Sequence, residues 1–357
     1  MSGRVGNRGL NRNLNERQTK VLFCIVKEYI RTHKPVSSSK VLEISTIDYS
    51  SATIRNDMRK LEYLGYLKQP HTSAGRIPTD KALRFYLDVV MDMGRMRERG
   101  KDVEKDTQIY WEGDFSRILE GAVKITSVAS DGIAIVEKPK VEFLRISRVI
   151  LREIDETRTL VVLSTELGLN ESFTVYHPRD ARLEELEGML NEKLVGRTIG
   201  EIRRSISRID IKTRMWYDKR LEELVKFFEN LLRERFEEGF LRYGFQRIIN
   251  NDLLSFDAVR KLMRILEDEE TMKRFLNEVH SLDRKKNGIT VTIGEEHRNR
   301  DLKEFSTFVS TYKIFDRNVG RIAVITSKYT DYEKVMKALI YISNRLTEFL
   351  TKLSMRR

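Results

Sequence analysis

The chain carries a single cysteine, Cys24, among 357 residues. That excludes an internal disulfide framework and suits a reducing cytoplasm. Cys24 lies in the apolar run Val21-Leu22-Phe23-Cys24-Ile25-Val26, where a small core residue is expected rather than a nucleophile. No apolar stretch reaches the roughly 18 residues needed to span a bilayer, so no membrane partner is expected. Residues 1–13 contain arginines with no apolar segment behind them, which argues against a signal peptide and reads as a basic disordered tail. The five histidines, His33, His71, His177, His280 and His297, stand apart, with no His or Cys at metal-ligand spacing. Gly-rich phosphate loops are absent, and no local pattern supplies a Ser/His/Asp arrangement. Acidic pairs such as Glu295-Glu296 are ordinary where 34% of residues are charged. No cofactor, no metal and no enzymatic activity are expected.

What is present is bulk hydrophobicity and unevenly placed charge. Hydrophobic residues make up 40% of the chain, enough for packed cores, and the length calls for two or three domains. The net charge of +12 is concentrated at the start: residues 1–90 hold 16 Lys and Arg against 8 Asp and Glu. Concentrated basicity favours a polyanionic partner, because each neutralised phosphate releases counterions.

Apolar spacing predicts a helix beginning near Asn15 and stopped before Pro35, then a short one capped by the serines 37–39. A third runs from Ser50 to about Leu64. Two short strand-like pieces around a small-residue turn follow, and Thr79 caps a fourth helix. Helix, helix, helix, hairpin is the order of a winged helix-turn-helix, assigned to residues 14–95. Beyond it, strand-like runs at 133–136, 143–151, 160–163 and 173–176 precede a helix-rich stretch over about 180–280, with 221–236 the clearest amphipathic helix. Strands return at 289–293, 305–314 and 320–326, and a helix over 332–350 closes the chain. The whole reads as an α+β multidomain protein with a helical interruption.

The third helix carries the chemistry. Ile54, Met58, Leu61 and Leu64 form a stripe suited to burial, while Ser51, Ala52, Arg55, Asn56 and Arg59 fall opposite. Small residues followed by forked donors suit a major groove: Arg pairs with guanine O6/N7, Asn with adenine N6/N7. Ser50 and Ser51 at the helix start, with Thr53 and Lys60 beside them, add candidate backbone contacts. At the hairpin, His71, Thr72, Ser73 and Arg76 surround Ala74-Gly75, where small residues let a sugar-phosphate wall approach closely. Ser38, Ser39 and Lys40 are further candidates for phosphate.

The block Ser50-Ser51-Ala52-Thr53-Ile54-Arg55-Asn56, with the run from Gln69 through His71-Thr72-Ser73-Ala74-Gly75-Arg76-Ile77-Pro78-Thr79-Asp80, closely resembles the bacterial heat-inducible transcription repressors of the HrcA family. Gly294-Glu295-Glu296 and Val319 to Ile325 fit that family's C-terminal pattern more loosely. The chain departs from it at Ser38-Ser39-Lys40 and at Thr326-Ser327-Lys328-Tyr329. The resemblance implies a GAF-like domain at 96–180 and 250–357, interrupted by an inserted dimerisation domain over about 180–250. It also implies an inverted-repeat operator in double-stranded DNA, called CIRCE, ahead of chaperone genes, and a GroEL-type chaperonin that maintains the repressor. A two-fold operator calls for a homodimer. The alternative is a winged-helix regulator governed by a small effector bound in the GAF-like domain.

Overall fold

The structure, a computed structural model, describes residues 14–45, 49–70, 75–92, 115–168, 170–176, 182–207, 239–281 and 288–355. The basic tail, the hairpin tip at His71, Thr72 and Ser73, residues 93–114, His177 and the amphipathic stretch at 221–236 lie outside the described residues.

The N-terminal part is built of α1 (Glu16–Thr32), α2 (Ser38–Ile44), α3 (Ser51–Tyr63), the antiparallel pair β1 (Leu67–Lys68) and β2 (Ile77–Pro78), and α4 (Asp80–Asp92). The first three helices start where the sequence offers a side-chain acceptor. Asn15 accepts from the Gln18 amide while the Gln18 side chain accepts from Asn15 N–H, closing a capping box. Ser37 accepts from the Lys40 amide at the start of α2, and Ser50 from the Thr53 amide at the start of α3. Val21, Leu22, Ile25 and Val26 of α1 meet Ile54, Met58 and Leu61 of α3 and Leu83 and Leu87 of α4 in one core. Cys24 is half-buried at its margin, and burial pushes its thiol pKa up.

The larger part centres on a five-stranded antiparallel sheet in the order β7-β3-β10-β9-β8. Its strands are β3 (Ile133–Glu137), β7 (Phe240–Tyr243), β8 (Ile289–Ile293), β9 (Phe305–Ile314) and β10 (Arg317–Ser327). Both faces are covered, which explains continuous apolar runs rather than strict alternation. Ala134 and Val136 face α5 (Phe115–Ser130) and α11 (Tyr332–Met355). Ile133 and Ile135 face the other layer, formed by α9 (Phe256–Glu267) and α10 (Glu269–Ser281).

The chain leaves this sheet after Glu137 and re-enters it at Phe240. Between lie β4 (Ile146–Asp155), β5 (Arg158–Thr165) and β6 (Asn170–Tyr176), a separate three-stranded antiparallel sheet, with α6 (Leu183–Leu194) and α7 (Ile199–Ser207). Asn191 of α6 clips the edge of β4, donating to Val149 O at 2.7 Å and accepting from Val149 N at 3.0 Å. The boundaries read from sequence group β4–β6 with the later strands and start the interruption at 180. In the structure these three strands pair only with one another among the described residues. The excursion therefore spans 138–239 and contains a sheet. Alternation identifies a strand but says nothing of which sheet it joins. β7, four residues inside a helix-rich stretch, escapes sequence reading altogether, and the short helix α8 (Phe245–Ile249) follows it.

Candidate nucleic-acid interface

Helix α3 presents two opposite flanks. Ile54, Asp57, Met58 and Leu61 are buried, on a helix that packs with α1, α2 and β1. Ala52, Arg55, Asn56, Arg59 and Lys60 are exposed, and Ser51 and Thr53 are half-buried beside them. Among the described residues, no hydrogen bond or ion pair engages the side chains of Arg55, Asn56 and Arg59, and all three are exposed. Tyr63 is 83% exposed and lies on the same stripe, eleven residues beyond Ala52, with the Lys60 ammonium 5.1 Å from its ring centroid. The sequence reading passed over Tyr63, although its place four residues after Arg59 was a visible signal.

The serines at the helix starts are partly committed. Ser50 Oγ accepts from Thr53 N at 3.2 Å and lies 2.9 Å from Thr53 Oγ1. Ser38 Oγ and Ser51 Oγ lie 3.4 Å apart, which sets the N-termini of α2 and α3 side by side. Helix N-terminal amides gathered in this way make a local environment that favours negative charge. Ser39 Oγ is 2.9 Å from the Ser37 cap, and Lys40 Nζ donates to Glu43 at 2.6 Å.

Arg76, unlike Arg55 and Arg59, is tied into the fold. Its side chain is only 18% exposed, and its Nε donates to Glu62 Oε2 at 2.9 Å. Its backbone exchanges two hydrogen bonds with Val36, at 2.8 and 2.9 Å. Gly75 beside it has no room for a side chain, since a Cβ there would lie 2.5 Å from the Val36 carbonyl. Arg76 thus fixes the hairpin to the end of α3 and to the strand-like link between α1 and α2. Asp57 has a matching role at the other side. Though buried, it accepts from Arg17 Nε at 2.6 Å and Nη2 at 3.2 Å, tying α3 to α1. That hydrogen bond raises the Arg17 pKa above its ordinary value, and the guanidinium also lies 5.1 Å from the Tyr49 ring centroid. Sequence reasoning missed Asp57 and Glu62 as anchors because their partners are 40 and 14 residues away.

The described residues include no cluster of His, Cys, Asp or Glu able to hold a metal ion, and no helix among them is long and apolar enough to cross a membrane. His297 is buried, with Nδ1 2.8 Å from Gly294 O and Nε2 2.9 Å from Thr307 Oγ1. Burial lowers its pKa below the ordinary 6.5. Its neutral ring can satisfy both contacts by donating to Gly294 and accepting from Thr307.

Comparison with known proteins agrees over the whole length. The family profile described as HrcA protein C terminal domain matches residues 116–336. The heat-inducible transcription repressor HrcA of Thermotoga neapolitana is 37% identical over 355 residues, covering 99% of each chain. The HrcA of Thermotoga petrophila is 35% identical, covering 98% of each. A crystal structure described only as that of a hypothetical protein at 2.2 Å resolution superposes with a TM-score of 0.70 at 35% identity, covering 95% of this chain and 99% of the other. The chain belongs to the HrcA family of heat-inducible transcription repressors.

Proposed function

We propose that the protein is a dimeric repressor that reads an inverted-repeat operator through a winged helix, with α3 in the major groove and the hairpin against the adjoining backbone. The observation that carries this reading is the outer flank of α3, where Arg55, Asn56 and Arg59 are exposed and unpartnered among the described residues. In a fold where many other arginines meet a carboxylate, donors held open on a rigid helix are suited to base edges. Ser38, Ser39, Lys40, Ser50, Ser51, Thr53 and Lys60 border that flank and serve phosphate contacts, joined by His71, Thr72 and Ser73 of the hairpin. Arg76 takes a positioning role through Glu62.

In this reading, residues 115–137 with 240–355 form the GAF-like domain, and the excursion 138–239 is the dimerisation unit. The target is the CIRCE element ahead of chaperone genes, and a GroEL-type chaperonin sustains the active form. Loss of that chaperonin to unfolded clients on heating then releases transcription. The test is a footprint on the upstream regions of chaperone operons, with and without chaperonin, at stated salt. Protection of an inverted repeat that strengthens with chaperonin is expected; no protected repeat under either condition overturns the reading.

A second reading, direct control by a small effector, draws on an open cleft of about 530 Å³ between α1 and the C-terminal domain, lined by Lys27, His33, Asp131, Tyr329 and Asp331 among others. A thermal-shift screen of the full chain discriminates: a ligand that moves both the melting temperature and operator affinity favours it.

A further inference from the structure

Helix α4 belongs to the operator-reading head, yet one of its faces is bound to the C-terminal domain by five hydrogen bonds. Asp80 Oδ1 accepts from Lys328 Nζ at 2.7 Å, and its Oδ2 accepts from the Glu295 backbone N–H at 2.9 Å. One turn later, Arg84 Nε donates to Glu296 Oε1 at 2.7 Å and Nη2 donates to Val291 O at 2.7 Å, with a second contact to the other Glu296 oxygen. The side chains of Asp80, Arg84, Glu296 and Lys328 are between 17% and 20% exposed, so the links are shielded well beyond an ordinary surface pair. The Gly294 backbone, at φ +52°, sits so close to the Asp80 carboxylate that any Cβ there would collide with it. On the neighbouring helix, Tyr29 meets Tyr329 edge-on with ring centroids 4.9 Å apart.

The seam leaves the outer flank of α3 uncovered, so it does not block the reading surface. It fixes how that surface is aimed relative to the C-terminal domain. A dimer gains from two heads only when both meet their half-sites at once, since the second contact is then intramolecular; a head free to swivel forfeits part of that gain. We infer that Asp80, Arg84, Glu296 and Lys328 form a mount that sets the spacing and orientation of the two heads for a two-armed operator. This rests on the operator-reading function proposed above and assigns to residues outside the DNA surface the control of its geometry.

The test uses Glu296→Gln with Lys328→Met in the full chain, changes that leave α3, α4 and the hairpin untouched. The amide oxygen introduced by Glu296→Gln can still accept from Ile293 N–H, a bond that Glu296 makes at 3.0 Å. Binding is measured on the inverted-repeat duplex and on the same duplex with one arm scrambled. The mount predicts at least a roughly 10-fold loss on the two-armed duplex, a part of the avidity that linked sites provide, with one-armed affinity held within about two-fold. Equal affinities to wild type on both duplexes reduce the seam to packing, and tighter two-armed binding makes it a restraint; either result overturns the inference. One-armed binding also reports whether the head is folded. If the double variant loses it, Glu296→Gln alone is scored by the same two-duplex criterion. Should wild type bind neither duplex, the operator-reading function itself fails, which is a separate and recognisable outcome.

Discussion

Arginines in two regions of this molecule meet opposite surroundings. On the outer flank of α3, Arg55 and Arg59 face solvent with no partner among the described residues. In the five-stranded sheet, Arg321 is 8% exposed and gives Nε and Nη2 to the two oxygens of Glu137, at 2.6 and 2.9 Å, and Nη1 to Asn277 at 2.8 Å. The same fork is spent inside the fold in one region and kept open in the other. Composition cannot tell these uses apart. What separates them is whether a rigid element places a carboxylate opposite the guanidinium.

The largest effect should come from breaking the interior pair. Glu137→Ala leaves the Arg321 charge buried without its partner, and such a loss costs about 3–5 kcal/mol. Chemical denaturation should show it as a lower midpoint; a change within about 1 kcal/mol would mean that water reaches Arg321 and the interior half of the contrast is wrong.

On the open flank the order of effects reverses. Arg55→Ala should leave the denaturation midpoint unchanged and weaken operator binding by about 1–3 kcal/mol, the worth of one bidentate base contact. Equilibrium titration at fixed salt measures it. A destabilised but fully DNA-competent variant would place Arg55 with the structural arginines.

These two flanks of α3 were legible from residue spacing alone, because a period of about 3.6 sorts Ile54, Met58 and Leu61 from Arg55, Asn56 and Arg59. So were β8 and β9, rich in β-branched and aromatic residues, and α11, whose apolar residues recur at helical spacing. The pairings that hold the head together were not. Arg17 with Asp57 and Glu62 with Arg76 are long-range meetings of common residue types, and nothing local in the sequence marks them. For the same reason nothing in the sequence separates Arg76, which pairs with Glu62, from Arg55 and Arg59. Nor could spacing reveal that β4–β6 form their own sheet, or that Phe240 to Tyr243 add an edge strand to β3.

Ser50 stands between the two classes and sharpens the contrast. As the cap of α3 its loss in Ser50→Ala should cost about 1 kcal/mol of stability, measured by denaturation. If operator affinity falls while stability holds, Ser50 serves the phosphate rather than the helix.

The smallest effect is on pH dependence. Burial holds the pKa of His297 below the 6.5 of the free ring. Its contribution is therefore complete above about pH 6.5 and is lost as pH falls through the folded-state pKa, because the unfolded chain takes up the proton first. Melting temperatures followed from about pH 7.5 to about pH 5 should decline less steeply in His297→Gln than in wild type, even though the variant starts lower. Parallel declines would remove His297 from the acid response.

Guanine N7 in the major groove reports directly whether α3 lies along base edges. Dimethyl sulfate protection on the bound inverted repeat should show guanines shielded symmetrically in both arms. Arg55→Ala at saturating protein should re-expose one guanine per arm while the rest of the footprint persists. An unchanged pattern of guanine protection in that variant would contradict the assignment of Arg55 to the groove.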